Sequence, residues 1–205
     1  MSKLKIVIID DNFQETDPLK VSLEIQIPEA DIILRKKASE GLSYILENLS
    51  SKMIVLLDYD LGQGEENGTD ILLKIREKTS LIYIIMITAK LLDTIPNKDL
   101  MTYVNKGALA VIDKTVSLQE KIELIKNAIH KLDTRVDSVL EQWILNHTYD
   151  ERETPYLKTS TETYTLNDVL KEIRTQTPLG QKLERNIMLL AVDLLTRGKK
   201  ELGND

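Results

Sequence analysis

The sequence predicts an α/β fold in which a five-stranded, doubly wound parallel sheet precedes a helical C-terminal region. Up to about residue 133, short apolar runs alternate with amphipathic stretches, and three of the runs are almost entirely Ile, Val or Leu. Such runs are typical of strands that are buried on both faces. Beyond that point apolar residues recur at helical spacing. Right-handed crossovers between successive strands would then give a doubly wound sheet.

The elements follow from this alternation in chain order. The predicted strands are residues 5–9, 32–34, 53–57, 82–87 and 109–112. The predicted helices are residues 17–26, 39–49, 69–77 and 100–106, and a fifth helix begins at Ser117. Five βα units result.

Length and composition limit the possible functions. With 205 residues, of which 42% are hydrophobic, the chain can form one ordinary domain and a smaller appendage. The absence of cysteine excludes disulfides and thiolate zinc sites and fits a reducing compartment. The net charge of −6 argues against a general surface for polyanions. The apolar run 6–9 is too short for a secretory signal, and no segment reaches the roughly 20 apolar residues of a membrane span. We therefore expect a cytoplasmic protein with no membrane partner.

A heptad pattern begins at Leu118 and continues to Trp143 with steps of four and three residues. The pattern predicts one continuous helix over residues 117–146, about 45 Å long, that pairs with a second copy as a coiled coil. The alternative is a helix that packs on the sheet up to Leu132, a bend, and a new helix capped by Asp133 or Thr134.

The sheet domain would comprise residues 1–133. The C-terminal region then divides into three parts: a helical extension over residues 134–147, a polar linker over 148–164 and a helical hairpin over 165–205. Within the linker, residues 157–165 could equally form a strand. The hairpin consists of a helix over 166–176, capped by Thr165, and a second helix that begins at Thr177-Pro178 and stops at Gly198.

Polar residues stand where the predicted strands end. Asp10 and Asp11 follow the first strand, Asp58 the third, Thr88 the fourth and Lys114 the fifth. Ligands of open α/β sheets bind at the carboxyl ends of the strands. Three carboxylates, a hydroxyl and an ammonium group at one edge would suit Mg²⁺ and a phosphoryl group.

Each of these groups has a chemical role in this hypothesis. Asp58 can attack phosphorus and become an acyl phosphate. Asp11 and Asp58 can hold Mg²⁺, with Asp10 acting through water. Thr88 and Lys114 can stabilise charge on the phosphoryl oxygens. The candidate catalytic residues are therefore Asp58, Thr88 and Lys114. Taken singly these signals are weak, because two acids after a strand often only begin a helix; their order and placement together carry the inference.

The segments 8–11, 56–58, 87–89 and 106–114 resemble the receiver domain of two-component response regulators, over about residues 3–130. The resemblance implies a flavodoxin-like sheet and a protein that is not an enzyme toward other substrates. It implies that Asp58 accepts phosphate from a histidine kinase, a phosphotransfer protein or a small phosphodonor. Mg²⁺ would be bound by Asp10, Asp11, Asp58 and the backbone carbonyl of Asp60.

The chain departs from the family pattern at several positions. Thr115 follows the lysine where the family usually has proline, often in a cis bond, so the reach of Lys114 could differ. Val111 stands where the family often has an aromatic switch residue. The loop over residues 58–68 is longer and more acidic than usual.

Two alternatives concern function. The sequence Asp58-Tyr59-Asp60 resembles the nucleophile and acid of haloacid dehalogenase-like phosphatases, but their metal-binding acids follow the lysine, and here they precede Asp58. A DNA-binding helix-turn-helix could lie in the terminal hairpin. However, its second helix is apolar almost all round, and only Lys182 and Arg185 could reach bases. We therefore expect no nucleic acid partner. The expected output is association of the C-terminal helices as a homodimer or with an effector protein.

Overall fold

Five apolar segments form strands because β-branched and leucine side chains suit a pleated surface that helices cover on both faces. The computed structural model describes residues 3–90, 94–159 and 162–201. The chain divides into two units, with the boundary between Leu132 and Asp133. In the first unit the strands are β1 (Leu4–Ile9), β2 (Ala30–Arg35), β3 (Met53–Asp58), β4 (Tyr83–Thr88) and β5 (Ala110–Asp113). The helices are α1 (Pro18–Gln26), α2 (Ala38–Glu47), α3 (Gly68–Arg76), α4 (Asn97–Asn105) and α5 (Leu118–Asp133).

The strands form one parallel sheet in the order β2-β1-β3-β4-β5. The order changes direction between β1 and β3, where Ile8 pairs with Leu56. In such sheets a ligand crevice lies outside the carboxyl ends of the strands at this point. The predicted five-stranded parallel sheet is confirmed, with strand ends shifted by at most two residues from the prediction.

Alternate residues of the central strands supply two separate cores. Val7, Ile9, Val55 and Leu57 pack with residues of α2, α3 and α4. On the other face, β1 and β3 residues pack with α1 and α5: Ile6, Ile8, Ile54, Leu56, Leu19, Leu23, Ile122 and Ile125. Each fully buried aliphatic side chain contributes roughly 1.5–3 kcal/mol relative to exposure. The sheet therefore holds its strand ends, and the polar residues that follow them, in fixed positions.

The prediction of one continuous helix over residues 117–146 is wrong. Helix α5 ends at Asp133, and α6 begins at Val136 and runs to Leu145. Between them Arg135 is extended, with φ −77° and ψ 154°, which interrupts the helical hydrogen-bond pattern. The alternative of a bend is confirmed, although the N-cap of α6 is Arg135 and not Asp133 or Thr134.

The heptad pattern also fails in α6. Its predicted seam residues Val139 and Trp143 are 54% and 42% exposed, whereas α6 buries Asp137, Ser138, Glu141 and Ile144. Two of the buried residues are acids, so this face is not a hydrophobic coiled-coil seam.

The segment predicted as a polar linker contains regular structure. Helix α7 (Tyr149–Glu153) begins with a reciprocal capping box between Thr148 and Glu151. Strands β6 (Leu157–Lys158) and β7 (Thr163–Tyr164) pair antiparallel. The alternative of strand structure within residues 157–165 describes this segment better.

The helical hairpin consists of α8 (Leu166–Arg174) and α9 (Pro178–Glu201). Thr165 caps α8 as predicted, in a second capping box with Asp168. The helices approach closely at Gly180, where a Cβ atom would lie 1.9 Å from the carbonyl oxygen of Glu172. The predicted stop at Gly198 is wrong, because α9 continues to Glu201. A glycine inside a helix costs only about 1 kcal/mol, and good helix formers follow it here.

No helix in the described ranges combines the length and the hydropathy that crossing a bilayer requires.

Candidate functional site

The carboxyl ends of β1, β3, β4 and β5 bring the predicted polar residues to one edge of the sheet. Asp58 and Thr88 are the last residues of β3 and β4, and Asp10 directly follows β1. Lys114 directly follows β5, and its backbone N–H donates to the carbonyl oxygen of Thr88 at 2.7 Å. Parallel strands therefore place these residues together although 104 positions separate Asp10 from Lys114.

Three carboxylates converge at this edge. Asp10, Asp11 and Asp58 each have an oxygen atom within 4.8 Å of an oxygen atom of the other two. Asp10 and Asp58 are only 6% and 4% exposed, whereas Asp11 is half-buried. Charges of the same sign this close together are unfavourable unless cations compensate them.

Lys114 supplies one compensating charge. Its Nζ atom lies 2.6 Å from Oδ2 of Asp58 and 2.7 Å from Oδ2 of Asp10. All peptide bonds in the described ranges are trans, including the bond from Lys114 to Thr115. The replacement of proline by Thr115 therefore leaves the ammonium group within reach of both acids.

The electrostatics of Asp58 and Lys114 reflect burial and mutual pairing. Burial raises the pKa of Asp58, and the charge of Asp10 raises it further, while the hydrogen bond from Lys114 lowers it without cancelling the increase. Burial by itself would lower the pKa of Lys114, but the hydrogen bonds to Asp10 and Asp58 raise it above its ordinary value. A protonated Lys114 that faces two acids explains its own raised pKa and limits the increase at Asp58.

Thr88 and Asp60 lie at the same edge, but their side chains have other partners. The Oγ1 atom of Thr88 accepts a hydrogen bond from the backbone N–H of Lys90 at 2.9 Å. The carboxylate of Asp60 pairs with Nζ of Lys90 at 3.2 Å. Asp60 lines a cleft beside the acid cluster, together with Asp11, Asn12, Asp58, Gly62, Ala89, Lys90 and Lys114.

Three residues of this cleft were not predicted from the sequence as site residues: Asn12, Gly62 and Lys90. Asn12 donates from its backbone to Asp10 at 2.9 Å and from its side chain to Asp11 at 2.7 Å, and so orients both acids. Gly62 has φ +91°, and a Cβ there would lie 2.9 Å from Oδ2 of Asp11. Lys90 lies over the ring of Tyr59, with Nζ 4.7 Å from its centroid. The sequence contains one signal for Gly62, which is its position within the acidic loop over residues 58–68.

The position of the family's aromatic switch residue is occupied by Val111, which is half-buried and packs against the first core. Two tyrosines elsewhere connect α4 with neighbouring segments. The hydroxyl of Tyr59 donates to Asp99 at 3.0 Å, and the hydroxyl of Tyr103 lies 2.8 Å from that of Thr69 in α3.

Comparisons with known proteins give a structural match only. No protein-family model and no curated protein matches the chain. A CheY-like receiver domain protein from Methanospirillum hungatei JF-1 has 24% identity and a TM-score of 0.51, over 63% of this chain and 95% of that one. A receiver domain protein from Clostridium thermocellum has 25% identity and a TM-score of 0.50, over 62% and 94%. The receiver domain of an HD domain-containing protein from Pseudomonas fluorescens Pf-5 has 17% identity and a TM-score of 0.51, over 65% and 92%. The first unit therefore has the fold of response regulator receiver domains, as predicted.

Proposed function

We propose that this receiver-fold chain is a response regulator of a two-component phosphorelay, in which Asp58 accepts a phosphoryl group in the presence of Mg²⁺. The donor would be a histidine kinase, a phosphotransfer protein or a small phosphodonor. The observation that carries the proposal is the convergence of Asp10, Asp11 and Asp58 within 4.8 Å, with Lys114 bridging two of them, at the switch point of a receiver-type sheet.

The acid cluster fits a magnesium ion. Carboxylate oxygens are the ligands that Mg²⁺ prefers. Lys114 supplies one positive charge to a cluster of three carboxylates, so the cluster keeps an excess of negative charge. Asp10, Asp11, Asp58 and the backbone carbonyl of Asp60 would hold the ion. When bound, Mg²⁺ would neutralise charge on the phosphoryl oxygens.

Asp58 would act as the nucleophile. A carboxylate oxygen forms a bond to phosphorus, and the bond between phosphorus and the donor's leaving group breaks, so the leaving group departs with the electron pair. Its position at the end of β3 keeps the attacking oxygen fixed against the sheet. Lys114 already lies 2.6 Å from this carboxylate and would hold a phosphoryl oxygen after transfer.

Thr88 would hold a second phosphoryl oxygen through its hydroxyl. This requires Oγ1 to exchange its present hydrogen bond with the backbone of Lys90 for one to the phosphoryl group. The protein would promote only its own phosphorylation and dephosphorylation and would not act as an enzyme on other substrates.

The output of the proposed regulator is association through the C-terminal helices, as a homodimer or with an effector protein in the cytoplasm. Beyond Ile187 the exposed side chains of α9 are mostly apolar, and Met188, Leu190 and Leu195 are 54–74% exposed. A helix that reads DNA must present polar side chains to base edges, so this surface favours a protein partner over nucleic acid.

Phosphorylation with acetyl phosphate and Mg²⁺ tests the proposal. We expect intact-mass spectrometry to show the gain of one phosphoryl group by the wild type, and no gain by Asp58→Asn or after chelation of Mg²⁺. Lys114→Met should slow the reaction by about 10²-fold or more, because it removes the cation at the reacting oxygens.

Asp60→Asn is the matched control, because it alters a neighbouring acid but keeps the backbone carbonyl that is proposed to bind Mg²⁺. It should still be phosphorylated. Equal phosphorylation of wild type and Asp58→Asn would contradict the role of Asp58. Sustained release of phosphate from p-nitrophenyl phosphate would favour the phosphatase alternative.

A further inference from the structure

The distal part of α9 exposes apolar side chains on all sides. Helix α9 has 24 residues and α8 has nine, so α9 is about 36 Å long and α8 about 14 Å. Leu183 and Ile187 of α9 are half-buried, whereas six apolar residues beyond them are 54–74% exposed: Met188, Leu189, Leu190, Val192, Leu194 and Leu195. We call these six residues the distal surface. Contiguous apolar surface of this kind marks an interaction site.

The charges around the distal surface have a specific arrangement. Residues 186–192 contain no ionisable side chain, and the segment is bounded by Arg185 on one side and Asp193 on the other. The two boundary charges are opposite in sign, and each lies four residues from Leu189. A segment with this pattern is complementary to itself when a second copy runs in the opposite direction.

We infer that the distal surface binds a second copy of this chain through the side of α9 that carries Leu189 and Val192, with the two α9 helices antiparallel and crossing at Leu189. The inference rests on the proposed function only in that it names the partner of the C-terminal helices. In this alignment Arg185 of each copy faces Asp193 of the other, and Leu189 and Val192, which lie on the same side of α9, are covered. A parallel alignment would place Arg185 against Arg185 and Asp193 against Asp193, which is unfavourable.

Within one copy, Asp193 already pairs with Arg197 at 2.8 Å. This pair is exposed and separated by four residues on one helix, so it contributes little and does not prevent an additional contact across the dimer. The antiparallel alignment brings Arg197 opposite Gln181 and Lys182 opposite Thr196, so no two like charges lie directly opposite each other.

Charge reversal in the full-length protein tests the alignment. We expect Arg185→Asp and Asp193→Arg each to raise the dimer dissociation constant by about tenfold or more, because each creates two like-charge pairs across the dimer. The double variant should regain most of the wild-type affinity. Sedimentation velocity over a concentration series, with and without Mg²⁺ and beryllofluoride, measures the constants.

Disulfide crosslinking provides an independent readout, because the chain contains no cysteine. Leu189→Cys should form a covalent dimer on mild oxidation. Thr196→Cys is the matched control on the same side of α9. In the antiparallel alignment its two copies lie about 21 Å apart, beyond the roughly 7 Å between Cα atoms that a disulfide spans.

Equal crosslinking at both positions would establish a parallel pair and overturn the alignment. A monomer in every variant under both conditions, or affinity that is indifferent to charge reversal, would overturn self-association through α9. These results are separate from those on Asp58: charge rescue without phosphorylation refutes the proposed function alone, and phosphorylation without charge rescue refutes this inference alone.

Discussion

Two glycines in the loop between β3 and α3 show how single residues shape the proposed metal site. Gly62 and Gly64 have φ +91° and +87°, a backbone conformation that residues with a Cβ rarely adopt. A Cβ at Gly62 would press on Oδ2 of Asp11, whereas a Cβ at Gly64 would meet no atom within 4 Å. The two positions therefore share backbone strain but differ in their contact with the acid cluster.

We predict that Gly62→Ala and Gly64→Ala each lower the free energy of unfolding by about 1–2 kcal/mol. Only Gly62→Ala should weaken Mg²⁺ binding, by about tenfold, because it displaces a carboxylate that is proposed to hold the ion. Urea unfolding measures the first effect and isothermal titration calorimetry with Mg²⁺ the second. Equal magnesium affinities of the two variants would contradict the role of Asp11.

The sequence predicted the acids and Lys114 correctly as neighbours because strand ends of a parallel sheet converge, whatever their separation along the chain. The roles of Asn12 and Lys90 were not predictable in this way. Both residues lie in loops, where position depends on turn geometry rather than on hydrophobic periodicity. The reach of Lys114 was also not predictable, because it depends on the backbone of the loop that follows β5.

At the scale of secondary structure elements, a buried hydrogen bond connects α3 with α4. Tyr103 is 1% exposed and Thr69 is 5% exposed, and their hydroxyl oxygens are 2.8 Å apart. Burial raises the pKa of Tyr103 to about 12, although the hydrogen bond with Thr69 lowers it. The folded protein therefore holds the phenol proton more tightly than the unfolded chain, whose tyrosine has the ordinary pKa of 10.0.

We predict that Tyr103→Phe lowers the free energy of unfolding by about 1–3 kcal/mol at pH 7, because the hydroxyl of Thr69 loses its partner in a buried position. The wild-type contribution is fully present below pH 10 and is lost as the pH rises toward 12. The difference between wild type and variant should therefore shrink over this range. Urea unfolding at several pH values measures it.

Thr69→Val provides the control through a double-mutant cycle. If the two hydroxyls bond to each other, Thr69→Val combined with Tyr103→Phe should cost less than the sum of the single changes. Additive costs would show that the two groups do not depend on each other.

Helix α6 shows why element boundaries and faces were harder to predict than the sheet. Its buried face contains Asp137 and Glu141, which pair with Arg174 of α8; two Arg174 nitrogens lie 3.1 and 3.0 Å from Glu141, and Nε lies 3.3 Å from Asp137. A buried arginine that pairs with two acids overrides the hydrophobic pattern of a single helix. The partner is more than 30 residues away, so helical periodicity contains no signal of it.

At the scale of the whole molecule, the proposed phosphorylation site and the distal surface of α9 belong to different units. A phosphoryl group adds about −1.5 to −2 charges at neutral pH, and this change is local. It can act on association only through an element with two arrangements whose relative free energies depend on the phosphoryl group. In the proposed mechanism the segments after β4 and β5 would be this element, because Thr88 and Lys114 would each exchange a present partner for a phosphoryl oxygen.

We predict that Mg²⁺ with beryllofluoride, which mimics the acyl phosphate, changes the weight-average mass of the wild type in sedimentation velocity at a protein concentration near the dimer dissociation constant. Asp58→Asn should show no change, because it lacks the carboxylate that beryllofluoride would bind. A ligand shifts such an equilibrium only by its differential affinity for the two states, so the size of the shift measures the coupling between Asp58 and α9.

A wild-type dimer of constant mass under both conditions would show that the α9 pair is permanent. It would refute control of this pair by Asp58, and the effect of phosphorylation would then have to act through another surface. A change of equal size in Asp58→Asn would show that beryllofluoride acts elsewhere. A change that is seen in the wild type but not in Asp58→Asn would show that it depends on Asp58. If the change also disappears in Arg185→Asp, it depends on α9 as well, and these two sites are then coupled.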